Sequence, residues 1–369
     1  MSLPRVALRI GFVFIFLIFG FAIYYFQWFN QKTIKIGAII SLTGTGSHLV
    51  DMKDAMNLAV EEVNNHGGIN GMNLELIIKD NQTNPDIGKK AFIQLEQQHK
   101  PLFYISALSS ISTAIAPLAN ENQVVLFGLV VNSPQFTQLN QWVYRYYSSI
   151  QYEITPIISF IQQFSIKKLG ILYLKDEYGN SMYHLFKQEL SKANDPFIMD
   201  ASFTTELTHF TEQIQSLFSM QAIYIVGFVQ HIKIAICQLK ALKYKGYIFS
   251  TSGIANLVKT TPEVDGVYFA APIIYNSVYH FAKEIASKFE NRFNKPITHQ
   301  AASGYDLIKL LAGLLENHDL SRKTIKQLID KGFYYPGVFG DIHLEPGGKE
   351  LIFPLFPAKV DNGNITYFW

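Results

Sequence analysis

Residues able to do chemistry cluster where short apolar runs of this sequence end. The run IKIGAIIS (Ile34 to Ser41) empties into Gly44-Thr45-Gly46-Ser47, the place where a nucleotide-binding protein keeps its phosphate loop. A dinucleotide site needs a third glycine and an acid about 20 residues further on. Leu49 stands in the third glycine's place, and the acid ending the next run, Asp80, lies too far along the chain. No Gly-Lys-Ser/Thr follows either, so a Walker-type loop is excluded. Two readings remain. The loop is a tight turn that needs glycine's φ freedom, or it is one rim of a cleft, since α/β sheets bind ligands outside the carboxyl ends of their strands.

Other run ends supply polar groups of the second kind. YISAL leads into Ser109-Ser110-Ile111-Ser112-Thr113 and a helix. Hydroxyls and amides there suit a carboxylate, although serine also serves as an ordinary N-cap. The next run ends in Val130-Val131-Asn132-Ser133-Pro134, and KLGILYLKD ends in Asp176-Glu177-Tyr178-Gly179, placing Tyr178 at a strand's carboxyl end. Asp265 precedes the run VYFAAP; it is either an acid for an ammonium or a turn residue. Metal and catalytic patterns are missing. None of the ten histidines is three to five residues from another, and HExxH, CxxC and GxSxG are absent. His209 and His231 read as helix or loop residues, and Cys237 has no histidine arranged with it. We expect no cofactor, no metal and no enzymatic activity.

The elements that must position these residues alternate. IKIGAIIS is followed by MKDAMNLAVEEVNNH, in which Met52, Ala55, Met56, Ala59, Val60 and Val63 recur at helical spacing. Gly67-Gly68 stops that helix. MNLELIIKD, IGKKAFIQLEQQ, PLFYISAL, SISTAIAPLANENQ and VVLFGLVV continue the cycle. It resumes with TPIISFIQQF, KLGILYLKD, SMYHLFKQELSKA, AIYIVGFV and HIKIAICQLKALKY. Repeated strand–helix alternation predicts parallel sheets covered by helices on both faces, and its presence in both halves predicts two α/β lobes.

Composition narrows the class. A length of 369 residues suits two domains, and a net charge of +2 without basic–aromatic runs gives no sign of a nucleic-acid partner. One cysteine excludes an intramolecular disulfide. From Ile10 to Gln31 no residue is charged, and GFVFIFLIFGFAIYYFQWF is long enough for a bilayer-spanning helix, which needs about 20 residues. Its Tyr24 to Phe29 end reads as an interfacial aromatic belt. A cleaved signal peptide is the rival reading, but cleavage after Ala22 leaves IYYFQWF exposed. We expect an uncleaved anchor over residues 1–31.

The whole pattern resembles the type 1 periplasmic binding proteins, specifically the branched-chain amino acid (Leu/Ile/Val) binding family of ABC importers. IKIGAIISLTG, AVEEVNNHGGINGMNLELIIKDNQTNP, SALSSISTAIAPLA, VDGVYFAAP, ASGYDLIKLLAGLLEN and GVFGDIHLEPGG carry the resemblance from Lys32 to Trp369. It implies two Rossmann-like lobes joined by a three-strand hinge: residues 33–146 plus 276–332, and 147–275 plus 333–369. The lobes would close over a ligand in the cleft. By resemblance, Ser110 with Ser109 and nearby amides holds an α-carboxylate. Asn132 replaces a threonine, Tyr178 is a cleft tyrosine, and Phe228 is a second cleft aromatic without its hydroxyl. Asp265 meets the α-ammonium, and His48 flanks the ligand side chain. The implied protein is a monomer outside the cytoplasmic membrane, handing an amino acid to an ABC permease. A ligand-sensing ectodomain working through a partner, or a binder of another small ligand such as an amide, is the alternative.

Overall fold

In the computed structural model, the described residues are 33–368 apart from 132, 134, 139, 148, 149, 194, 195 and 277. The expected membrane helix over residues 1–31 lies outside them. Among the described residues no helix is long and apolar enough to cross a membrane.

The first lobe grows from a sheet whose inner strands are too apolar to leave either face in water. Strands β1 (Ile34–Ile40), β2 (Leu74–Asp80), β3 (Phe103–Ala107), β4 (Leu126–Leu129) and β5 (Val143–Tyr146) form a sheet in the order β2-β1-β3-β4-β5. Every neighbouring pair is parallel. Burial on both faces is what a parallel sheet with crossover helices requires. Helix α1 (Val50–Asn65) buries the six residues that recur at helical spacing. Helices α2 (Pro85–Gln98) and α3 (Ser109–Glu121) cover the opposite face with Phe92, Leu95, Ile111 and Ile115. Asn84 caps α2, its side chain accepting from the amides of Asp86 and Ile87.

The second lobe contains α4 (Ile150–Gln163), β6 (Lys168–Leu174), α5 (Glu177–Ala193), β7 (Phe197–Phe203), β8 (Ala222–Val226), α6 (Val229–Ala241), β9 (Tyr247–Ser250) and β10 (Tyr268–Pro272). Its parallel run is β10-β9-β8-β6-β7. Helices α7 (His280–Phe293) and α8 (His299–Leu315) then return to the first core.

The C-terminal residues divide. Strands β11 (Phe333–Gly337) and β12 (Gly340–Leu344) form a hairpin, and Val338, Phe339, Ile342, Leu344, Leu351 and Phe353 pack in the first core. This corrects the expectation that everything from residue 333 onward joins the second lobe. Only β13 (Leu355–Asp361) and β14 (Asn364–Tyr367) do so, adding antiparallel strands beside β10. Burial decides the split: Leu344 and Leu351 are nearly solvent-free against the first core, whereas Ala358 and Val360 are nearly so against the second. The chain therefore passes between the cores three times. It crosses between Tyr146 and Ile150, between Ala271 and Ile274, and between Phe353 and Ala358.

Candidate functional site

The glycine loop is built by its neighbours. It winds as a 3-10 turn over Gly44–Leu49, which carries His48 at the carboxyl end of β1. Asp80, the acid that ends β2, is committed to this turn. Its Oδ1 accepts from the amides of Leu42 (2.9 Å), Thr43 (3.3 Å) and Gln82 (2.9 Å), and its Oδ2 from Thr43 Oγ1 (2.6 Å). Burial raises its pKa, but the bonds from Thr43, Gln82 and Leu42 outweigh that and hold the carboxyl below its ordinary value. The amide of Gly46 donates to Thr83 Oγ1 at 2.9 Å. Gly44 sits at φ +80°, and a Cβ there would stand 2.7 Å from the Gln82 carbonyl oxygen. Gly44 is required for close backbone approach, and Gly46 for room beside the Ser41 and Leu108 side chains, with Asp80 and Thr83 as the clamp.

Helix α3 begins directly after β3. Its cap residue is Leu108, at φ +72°, which offers no side-chain acceptor to the first-turn amides. Ser109 opens the helix and its Oγ accepts from the Ser133 amide at 3.3 Å; Ser110 is exposed. A helix start presented this way carries the positive end of the dipole toward the carboxyl ends of the strands. Asn132, expected beside it, lies outside the described residues.

In the second lobe, Tyr178 and Phe228 come together at the carboxyl ends of the strands. Their rings stack at 5.9 Å with planes 9° apart, and Phe228 remains 49% exposed. Tyr178 begins α5 just past β6, while Phe228 caps α6 just past β8. Asp176 Oδ1 accepts the Gly179 amide at 2.7 Å, fixing the turn that carries Tyr178. The Tyr178 hydroxyl shares a hydrogen bond with Thr251 past the end of β9; burial and the nearby Glu153 charge push its pKa well above the ordinary value.

Asp265 is not there. It lies before the amino end of β10, where its Oδ1 accepts the Asn362 amide at 2.6 Å and its carbonyl oxygen accepts from Lys240 Nζ at 2.7 Å. Because β10 runs parallel to β9 and β8, that end is opposite to the one bearing Tyr178 and Phe228. A residue preceding a parallel strand faces away from the cleft, which is the physical reason the expected ammonium contact fails.

An acid does lie at the cleft end, and sequence reasoning passed over it. Glu153, in the first turn of α4, is 6% exposed, and its carboxylate accepts hydrogen bonds from the backbone and side chain of Ser252, beyond β9. Burial raises its pKa, and the Ser252 bonds oppose that rise. The phenols of Tyr147, Tyr178 and Tyr224 all lie within reach of its charge. The available signal was its helical position: Glu153, Ile157 and Phe160 recur on one buried face, where a charge is out of place. Below this group, at the crossings, the Tyr147 ring meets His299 at 5.4 Å and His299 meets Phe339 at 4.8 Å.

Among the described residues no group of His, Cys, Asp and Glu could hold a metal ion. Burial, with Glu263 nearby, pushes the Cys237 thiol up, away from a reactive thiolate. Two sheets with parallel runs, three crossings and polar carboxyl ends form a two-lobed architecture, and residues 33–364 match the family described as periplasmic binding protein. The chain belongs to that family. Its members are binding proteins rather than enzymes. This periplasmic binding protein has the type 1 fold of ABC-transporter solute-binding proteins. The branched-chain amino acid transporter substrate binding protein LivJ of Streptococcus pneumoniae, in complex with isoleucine, matches it with a TM-score of 0.79. Identity is 19%, over 91% of this chain and 100% of that one. A solute binding protein of an ABC transporter from Rhodopseudomonas palustris, in complex with 3,4-dihydroxybenzoic acid, gives a TM-score of 0.80. Identity is again 19%, covering 91% and 96% of the two chains. Such identities establish the shared fold and leave the ligand to the cleft residues. The chemotactic signal transduction system substrate-binding protein BasB of Halobacterium salinarum is 28% identical over 107 residues, 28% of this chain and 26% of that protein. The chain spans about a quarter or less of the length of the curated relatives it matches.

Proposed function

We propose that this periplasmic binding protein is the extracytoplasmic substrate-binding component of an ABC importer and takes an amino acid, branched-chain or related. The observation that supports this most is the pairing of two surfaces at the strands' carboxyl ends. The leucine-capped start of α3 at Ser109 and Ser110 offers positive potential to a carboxylate, and the Tyr178–Phe228 stack offers an apolar wall. His48, on the glycine turn, and Asn132, after β4, complete the proposed contacts. Lobe closure then removes water and strengthens the polar bonds, each contributing about 1.5–3 kcal/mol when one partner is charged. Residues 1–31 serve as the anchor that keeps a monomer at the membrane beside its permease. The similarity to BasB favours a second reading, sensing through a partner protein, which uses the same cleft.

The test is a thermal-shift panel on the detergent-solubilised full chain. One or a few amino acids should raise the unfolding temperature, because a ligand at a hundredfold its Kd stabilises the native state by about 2.7 kcal/mol. A flat response to all amino acids, with a rise for an amide or an aromatic acid, would overturn the ligand class.

A further inference from the structure

Glu153 is the acidic group of the cleft that the sequence pattern assigned elsewhere. Its carboxylate is almost solvent-free, it projects from the first turn of α4, and it meets Ser252 just beyond the carboxyl end of β9. Among the described residues no lysine, arginine or histidine is paired with it. A buried carboxylate without a cation is costly, and the usual remedy is a paired positive charge. Its other neighbours are phenols. Tyr178 belongs to the proposed aromatic wall, Tyr147 to the first crossing, and the buried Tyr224 hydroxyl has no hydrogen-bond partner among the described residues. The carboxylate next to the wall leaves an acceptor position that a ligand N–H can fill.

We propose that Glu153 receives the ammonium group of the ligand and thereby makes the cleft selective for zwitterionic amino acids over plain carboxylates. This rests on the amino-acid reading above. With the carboxylate end at the start of α3 and the ammonium at Glu153, the two lobes hold opposite ends of one small molecule. A purely structural acid would need only the contact with Ser252, and a ligand-binding one needs its charge. Glutamine at position 153 separates the two roles, because it retains an acceptor for the Ser252 amide but removes the charge.

The experiment is calorimetric titration of the full chain with the common L-amino acids, each paired with the carboxylate lacking its α-amino group. Leucine against 4-methylpentanoate is one such pair. The wild-type protein should bind at least one amino acid ten or more times more tightly than its deaminated partner, and Glu153→Gln should lose that preference. Folding of the variant is checked by circular dichroism and thermal unfolding. A second readout needs no variant. Wild-type affinity for the amino acid should fall as acidification protonates Glu153, while that for the deaminated partner should not fall in parallel. The groups facing Glu153 do not confound this: burial pushes the Tyr147, Tyr178 and Tyr224 phenols up, and His299, beyond Tyr147, stays neutral down to about 4. An amino-acid preference that survives in Glu153→Gln, or parallel pH profiles, would overturn the assignment to Glu153 and leave the amino-acid reading standing. Binding of no amino acid by the wild-type protein would overturn both.

Discussion

Gly179 shows how little room the cleft residues have. A Cβ at this position would stand 1.9 Å from the Leu174 carbonyl oxygen, at the turn where β6 gives way to α5 and Tyr178. Gly179→Ala therefore has to move backbone, at a cost of about 1–3 kcal/mol for overpacking. We expect the unfolding temperature to fall by several degrees and the ligand response to weaken, since Tyr178 moves with the turn; thermal unfolding with and without ligand measures both. An unchanged unfolding temperature would show that the turn accommodates the methyl group. Tyr178 and Gly179 were legible because a strand end followed by a helix is a local pattern. Asp265 was misplaced because its local pattern, an acid beside a strand, does not say which end of the sheet faces the cleft. Glu153 was missed for the opposite reason. Acids are ordinary in the first turn of a helix, so its place on the face of Ile157 and Phe160 was the sign in the sequence, and its burial against Ser252 makes it plain.

Among the elements, α1 packs closely against α8 in the first lobe. A Cβ on Gly304 would meet the Met52 and Met56 side chains at 2.9 Å and the Met52 carbonyl oxygen at 3.0 Å. Here the glycine sets the distance between helix axes, with Tyr305 Oη donating to Glu62 Oε2 at 2.6 Å along the same contact. Gly304→Leu should part the helices and lower stability by about 1–3 kcal/mol. The measurement is the urea midpoint, and a midpoint equal to that of the wild type would contradict the packing argument. The buried stripe of α1 was fully readable, because the spacing of Met52, Ala55, Met56, Ala59, Val60 and Val63 reports a face directly. The β11–β12 hairpin was not. Its strands pair with each other, and which core receives them depends on contacts with residues far away in sequence.

At the scale of the whole molecule, the crossings carry a pH dependence. Burial pushes His299 from its usual 6.5 down to about 4. The unfolded chain takes up this proton near 6.5 and the native chain only near 4. Stability contributed by neutral His299 is thus full above 6.5 and is lost as pH falls through 4. Asp306 works in the other direction. Burial raises its carboxyl from 3.8 to about 6, against hydrogen bonds from Val338, Tyr146 and Tyr335. Its contribution is full below 3.8 and is lost as pH rises through 6. Replacing His299 with phenylalanine, which suits Tyr147 and Phe339, should therefore reduce the loss of stability between pH 7 and 4.5. Urea midpoints at the two pH values test this; an equal loss in both proteins would show that His299 does not set the acid limit.

By itself the sequence determined the alternation of strands and helices, the buried stripes, the failure of the nucleotide patterns and the polar character of the strand ends. All of these are written in neighbours a few residues apart, where periodicity and turn chemistry act. Tertiary structure alone decided that Asp80 clamps the glycine turn, that Asp265 faces away from the cleft, and that Glu153 stands behind Tyr178. It also decided that residues 333–353 return to the first core. Each of those outcomes depends on which ends of distant elements meet. Burial and hydrogen bonding fix that only when both cores have formed.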